Sequence, residues 1–365
     1  MISGSSIGII ELGNIAIKCL LFKVNEDNTS EILSTSKVVS DGIQNGVIIN
    51  TEKASAAIRA CISEAEKEAK VTLKKINVVV EQPDFLCTKL SKDKKIGGSK
   101  VYKDDIEFLL REAKKQIILN DKTQSIIHIF NYNYTVDGKI FVEEPINIFA
   151  DYLSHEMTFV TMPKNNIKNI VQTFINCDIE IERFISCTFS LAVELLNNDQ
   201  LHLGSTLVDI GFEKTSLGIF KNLALIDSIT LPVGINHITK DISKVCSLNL
   251  NESENIKNKI DYSLKDNSHL FDSNDYLKKE FFKNTTLRKI SKSLILKIIK
   301  SRLDEIFEII KKQMDLAKFE ASYKSNFFVF ENDSKLINLE DYFLDFFGFE
   351  VKKLFKNESS LGSDF

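Results

Sequence analysis

Two short stretches set the strongest limit on how this chain folds. "SIGIIELGNIAIKCLLFKV" and "TLVDIGFEKTSLGIF" each place apolar, β-branched runs on both sides of an acidic residue and a glycine-containing turn. Such runs, broken by Gly, Asn or Asp, read as strand–turn–strand hairpins. In the first, Ile7 to Ile10 and Ile15 to Val24 flank a turn at Glu11 to Asn14; in the second, two runs flank Asp209, Gly211, Phe212, Glu213, Lys214 and Thr215. A carboxylate at a strand end, followed by backbone N–H groups, can hold a magnesium phosphate, the carboxylate facing the metal and the amides the anion. An ordinary Asx-type turn uses the same residues. One acidic hairpin alone reads as a turn. Two of them, each with helices after it, imply a chain duplicated in architecture and a possible phosphate clamp.

The 365 residues are too many for one small core and imply two or three domains. With 47 basic against 51 acidic residues there is no broad basic footprint, which sets nucleic acid aside as a partner. Six cysteines, at 19, 61, 87, 177, 187 and 246, form no CxxC pair and have no matched histidine spacing. They argue against zinc and disulfides and read as small buried hydrophobes in a reducing cytosol. The start "MISGSSIGIIELG" has no basic region, and no run reaches the length a bilayer needs, so a cytoplasmic protein is expected.

Between the hairpins, Thr51 to Lys70 repeats Ala54, Ile58, Cys61, Ala65 and Ala69 at helical spacing, and "KINVVVE" is a buried-type strand. From Glu81 to about Met157 the pattern becomes that of an α+β insert. It holds a strand "FLCTKLS", a break at Gly97-Gly98, a helix from Asp104 to Leu119, and the strands "IIHIFNYNYTV" and "KIFVEE". "MTFVTMP" then resumes as a strand, and Lys164 to Phe174 reads as a helix. After the second hairpin, "ALIDSITL" runs through Pro232-Val233-Gly234 into a helix, and "DNSHLFDSND" reads as a loop. Leu287 to Phe319 is a long amphipathic helical region with Ile290, Leu294, Ile298, Leu303, Ile306 and Ile310 on one stripe. "NFFVFEND" is a strand, and Asn338 with Asp341 resembles a capping box for a helix from Leu339 to Phe347 that Gly348 closes.

The order of these segments resembles the bacterial cell-division family FtsA, of the actin and Hsp70 superfamily. It rests on "SDGIQNGVIINTEKASAAIRACISEAE" with Gly42 and Gly46, on Ile96-Gly97-Gly98 in "IGGSKVYKDDIEFLLREAK", on "VDIGFEKTSLGIF", on His237-Ile238-Thr239 with Asp241-Ile242, and on "IIKSRLDEIFEII". The likeness spans about residue 6 to residue 355. It implies an α/β, actin-like two-lobed ATPase fold with four subdomains, including the extra subdomain characteristic of FtsA. The expected divisions are 1–80, 81–157 (the insert), 158–198, 199–245, 246–309, 310–347 and a polar tail at 348–365.

The resemblance further implies an adaptor that binds the C-terminal tail of the tubulin-like FtsZ. It would polymerise as an actin-like filament, meet later divisome proteins through the insert, and link the division ring to the inner face of the cytoplasmic membrane. ATP with magnesium is the implied cofactor. The implied nucleotide-binding residues are Glu11, Gly13, Asn14, Lys18, Asp209, Gly211, Lys214, Thr215, Glu254 and Lys257, with Glu11 and Asp209 holding magnesium through water. The family's Arg-x-x-Glu matches Arg302 and Glu305, the implied FtsZ-tail face on the small second-lobe subdomain. A solvated helix face is the plainer reading of Glu254 with Lys257 and of Arg302 with Glu305.

Several positions depart from the family pattern. Glu11 stands where Asp is usual, and Phe212 and Glu213 replace two glycines, adding side chains and a negative charge where phosphate would approach; Lys214 is expected to offset that charge. Glu331-Asn332-Asp333 replaces the glycine turn that admits a nucleoside. No residue fits a general base, and His237 reads as structural, so at most weak ATPase activity is expected. The ending "KNESSLGSDF" is polar, unlike the family's amphipathic helix, so membrane attachment is expected through a partner or polymer avidity. The alternatives are a small-molecule kinase of the same superfamily, which needs intact phosphate loops, and the related pilus-assembly adaptor.

Overall fold

The computed structural model describes residues 6–27, 29–316, 326–330 and 336–354. The chain divides into two compact units, the first holding residues up to His202 with Phe220–Ser228, the second Leu203–Ile219 and the chain from Ile229.

In the first unit β1 (Ser6–Leu12) and β2 (Ala16–Val24) pair antiparallel, and β3 (Ser30–Val39) pairs antiparallel with β2. A two-residue ladder, β4 (Ile43–Gln44) with β5 (Val47–Ile48), turns through Asn45 and Gly46, both at positive φ. Helix α1 (Thr51–Ala69) follows, its start fixed by the Asn50 side chain accepting the Lys53 N–H. Ala54, Ile58, Cys61 and Ala65 are buried as their spacing predicts. Strand β6 (Lys75–Val80) then lies parallel to β1.

The insert comprises β7 (Leu86–Lys100), α2 (Lys103–Asn120), β8 (Gln124–Val136), β9 (Lys139–Phe141) and β10 (Phe149–Pro163). Its sheet runs in the order β7-β10-β8-β9, and α2 contributes Ile106, Leu109, Ala113 and Ile117 to its core. Two expectations are corrected here. Gly97-Gly98 does not end the first strand: both glycines sit at positive φ inside β7, opposite a register shift between Ala150 and Tyr152, so they form a bulge. Nor does a strand resume at Met157, because β10 runs unbroken, paired with β7 on one side and β8 on the other. Helix α3 (Lys164–Ile175), β11 (Glu180–Ser186), α4 (Cys187–Leu195) and α5 (Asn198–Leu203) follow, β11 pairing parallel with β6.

The second five-stranded sheet consists of β12 (Ser205–Ile210), β13 (Thr215–Lys221), β14 (Ala224–Leu231), β15 (Phe327–Phe330) and β16 (Lys352–Leu354). The helices of the second unit are α6 (Asn236–Cys246), α7 (Leu250–Lys257), α8 (Lys292–Leu316) and α9 (Leu339–Phe347). The two five-stranded sheets have one topology. The first reads β3-β2-β1-β6-β11 and the second β14-β13-β12-β15-β16. In each, two parallel strands are added beside the first strand of the acidic hairpin. The architectural duplication expected from the two hairpins is therefore present strand for strand.

The stripe on α8 is corrected in phase. Ile295, Ile299, Leu303, Ile306 and Ile310 face the core, whereas Leu294 is exposed and Ile298 half-buried. Ile290 precedes the helix, so counting helical turns from it misplaces the first two. The "DNSHLFDSND" segment contains a short 3-10 turn, Ser268–Leu270, and buries Leu270 and Phe271. The capping box at α9 does not form: Asn338 is left-handed and its amide donates to Asp261 Oδ2 at 3.0 Å. Four cysteines are buried, but Cys87 and Cys187 are only half-buried; all six are free thiols. Residues 317–319, which fall within the expected helix, and Glu331-Asn332-Asp333 lie outside the described residues.

Candidate functional site

The first hairpin sits at the end of β1. Glu11 pairs across the ladder with Lys18, whose Nζ lies 3.8 Å from Glu11 Oε2, and lies beside Val79 of β6. Gly13 is required by the turn, since a Cβ there would meet the Ala16 carbonyl oxygen at 2.5 Å. Asn14 accepts the Gly46 N–H through Oδ1 at 3.2 Å and donates to Asn45 Oδ1 at 3.3 Å. Gln82, fully buried, donates to the Gly46 carbonyl at 2.6 Å and accepts from Asn166 at 2.8 Å. The hairpin turn is thus held through Asn14 by Asn45, Gly46, Gln82 and Asn166. Of these, only Gly46 carries a sequence signal, as half of the Gly42/Gly46 pair. Glu81, at the end of β6, accepts a hydrogen bond from Thr188 at 3.2 Å.

The second hairpin is closed by Gly211 N–H donating to the Lys214 carbonyl at 2.9 Å, and Thr215 Oγ1 donates to the Val233 carbonyl at 2.8 Å. Asp209 lies at the end of β12, opposite Phe330 of β15. The turn is pressed against the start of α6: Ile235 and Asn236 N–H groups donate to the Gly211 and Phe212 carbonyls at 3.0 and 2.8 Å. Only glycine fits at 234, where a Cβ would lie 2.4 Å from the Gly211 carbonyl oxygen. Glu213 accepts from Asn236 Nδ2 at 2.6 Å and Lys240 Nζ at 3.0 Å. Burial alone would raise the Glu213 carboxyl, but the bonds from Asn236 and Lys240 hold it below the usual carboxylate range. Asn236 and Lys240, both on α6, therefore offset the Glu213 charge. His237 Nδ1 accepts the Gly234 N–H at 3.1 Å, a role within the α6 start.

On α7, Lys257 is 2 % exposed and pairs with Glu254 at 2.7 Å, while Thr239 Oγ1 donates to Glu254 Oε2 at 2.6 Å. The Lys257 ammonium lies 5.8 Å from the centroid of the Phe212 ring. This pair is not a solvated helix face. On α8, Arg302 Nε donates to Asp241 Oδ2 at 2.8 Å and its Nη1 bonds Glu305, so it ties α8 to α6. The hydrogen bond to Asp241 raises its already high pKa further.

Two family models match the chain: "Cell division protein FtsA" over residues 206–354 and "SHS2 domain inserted in FTSA" over residues 86–161. Among curated relatives, the FtsA of Agrobacterium fabrum is 22 % identical over 323 residues, covering 86 % of this chain and 72 % of its own. The chain belongs to the FtsA family. The SHS2 match begins with β7 and ends within β10, so it coincides with the four-stranded insert. Solved structures agree on an actin-like fold. A PilM-PilN type IV pilus biogenesis complex gives a TM-score of 0.62 at 12 % identity, covering 95 % of this chain and 87 % of that one. Spiroplasma citri MreB5 bound to ADP gives 0.55 at 13 %, covering 96 % and 92 %.

As a member of FtsA this chain fits a nucleotide only in part. A phosphate needs backbone N–H donors, yet Gly211, Ile235 and Asn236 already donate theirs to carbonyls, and Glu213 occupies the donors at the start of α6. Among the described residues no three His, Cys, Asp or Glu side chains converge as a metal site. Glu11 belongs to the first unit and Asp209 to the second.

Proposed function

We propose that this FtsA-family protein is a cell-division adaptor that binds the C-terminal tail of FtsZ. It works at the inner face of the cytoplasmic membrane and assembles into actin-like filaments, with the insert meeting other divisome proteins. The observation that carries the reading is the complete β7-β10-β8-β9 insert within a chain whose two five-stranded sheets share one topology. A small-molecule kinase has no use for that insert and needs open phosphate loops. The likeness to the pilus protein is one of fold.

The tail-binding face is assigned to Arg302 and Glu305 on α8. Arg302 is held in one orientation by Asp241, which lowers the ordering cost of capturing a tail carboxylate. The test is fluorescence anisotropy of a labelled FtsZ tail peptide against a scrambled one. Saturable binding of the native peptide only is expected, and Arg302→Gln is expected to weaken it about tenfold. A scrambled peptide that binds equally, or unchanged affinity in a folded Arg302→Gln protein, would refute the assignment.

ATP with magnesium is the proposed ligand of the hairpin residues Glu11, Gly13, Asn14, Lys18, Asp209, Gly211, Lys214 and Thr215 and of Glu254 and Lys257 on α7. Hydrolysis is not part of the proposed function. Phe212→Gly with Glu213→Gly frees the donors of Asn236 and Lys240 and clears the ring beside Lys257. Calorimetry is expected to show ATP binding about tenfold tighter in that variant than in the wild type, one charge-assisted bond's worth. Equal affinity would place the obstruction elsewhere.

A further inference from the structure

The whole chain is slightly acidic, yet from Lys278 to Lys300 it carries eight Lys or Arg and one carboxylate, Glu280. Lys278 bonds the His269 carbonyl at 2.6 Å and Lys300 pairs with Asp304 at 3.3 Å. The other six, Lys279, Lys283, Arg288, Lys289, Lys292 and Lys297, form no ion pair with a described residue. All but Lys292 are exposed. Leu287 and Leu294, set among them, are 52 % and 37 % exposed.

This strip is held in shape. Glu252 accepts the Lys283, Asn284 and Thr285 N–H groups at 2.7, 2.7 and 3.1 Å, fixing one end of the loop. Leu277 N–H to Ile290 and Lys292 N–H to Asp275, at 2.9 and 2.8 Å, fix the other. On α8 the residues Ile295, Ile299 and Leu303 face the core, which leaves Leu294 and Lys297, three apart, on the outer side. Arg302 bonds Asp241 of α6 and does not belong to the strip.

Cations here work against the fold. The N-terminus of a helix is its positive end, and α8 has no acidic residue in its first turn while Arg288, Lys289 and Lys292 crowd that end. Within the fold, Lys289 lies 5.7 Å from the centroid of the Tyr276 ring and Lys292 acts on the Asp266 carboxylate without forming an ion pair, so anions from outside would relieve the remaining repulsion. They are spread along a loop and a helix turn instead of gathered round one point, which suits many charges in a plane better than a single carboxylate. We propose that this strip docks on an anionic lipid surface, its cations on the headgroups and Leu287 and Leu294 in the interface.

The test is flotation of the 365-residue chain with phosphatidylcholine vesicles, with and without phosphatidylglycerol. Binding is expected only with phosphatidylglycerol and is expected to fall as salt rises. Each membrane-facing cation contributes a factor of about five, so Arg288→Glu, Lys289→Glu and Lys297→Glu together lower partitioning at least about a hundredfold. Leu287→Ser with Leu294→Ser weakens binding with the salt dependence kept. If the triple variant melts early, Lys289→Ala with Lys297→Ala replaces it, since both side chains are exposed. Failure to bind either vesicle, equal binding to both, or a folded charge variant bound like wild type would overturn the proposal. So would charge-dependent capture of poly-glutamate without vesicle binding, which would assign the strip to an acidic peptide.

Discussion

Glu252→Ala is expected to cost the second unit about 3 to 5 kcal/mol, the range for stranding buried hydrogen-bonding partners. Glu252 is only 3 % exposed. Its carboxylate accepts from the backbone of Asn249, Lys283, Asn284 and Thr285 and from the Thr285 hydroxyl, between 2.7 and 3.2 Å. It also completes a capping box with Asn249 at the start of α7. Alanine leaves those donors without their acceptor. Thermal unfolding is expected about 10 °C lower, at the usual few degrees per kcal/mol for a unit of this size; an unchanged melting temperature would show that the loop closes without Glu252.

The same residue has a pH signature. Burial pushes its carboxyl up, but the donors from Asn284, Thr285 and Asn249 prevail and hold it at about 2. A carboxyl depressed on folding contributes stability that is full above its unfolded value near 4.5 and is lost as pH falls toward 2. Glu252→Gln cannot titrate, so its stability curve is expected to lack that acid step.

His155 is expected to make the first unit lose stability at a milder acidity. It lies on β10, 1 % exposed, opposite Tyr134 of β8 and Lys92 of β7, and its ring stacks on Tyr134 at 4.2 Å. Neither ring nitrogen has a hydrogen-bond partner among the described residues. Burial lowers its pKa from 6.5 to about 4. Because the unfolded chain binds the proton first, stability is full above about 6.5 and falls as pH drops toward 4, by about 3 kcal/mol in all and about 2 kcal/mol by pH 5. Urea unfolding followed by tyrosine fluorescence at pH 7.5 and 5 measures this. His155→Phe keeps the stacked ring and removes the titration, so it is expected to be more stable than wild type at pH 5 and to lose most of the pH dependence. A variant with the wild-type slope would place the acid sensitivity on other groups.

Much of the fold was legible because it is encoded locally. Each acidic hairpin is a contiguous stretch whose two strands bracket their own turn, and α1 shows its buried face through residues one turn apart. Where the reading failed, the deciding contact came from far along the chain. Gly97-Gly98 looks like a strand end by itself, but pairing with residues more than fifty positions later keeps β7 intact as a bulged strand. Asn338 has the composition of a cap, but Asp261 takes its amide. The α8 stripe is misread in its first turns because Ile290 lies outside the helix.

The candidate site divides in the same way. The sequence alone determined where the two hairpins lie and the order of motifs that resembles FtsA, although Glu11, Leu12, Asp209, Ile210 and Thr215, expected at the turns, are strand residues. Only the tertiary structure decided what those residues can do. It brought Asn236 and Lys240 to Glu213, buried Lys257 beneath Glu254 and Phe212, and linked Asn14 to Gln82 through Gly46. Strand and helix signals lie within a few residues of one another, so spacing reveals them. The partner of a charged side chain is set by which elements pack together, and that depends on the burial of both cores at once.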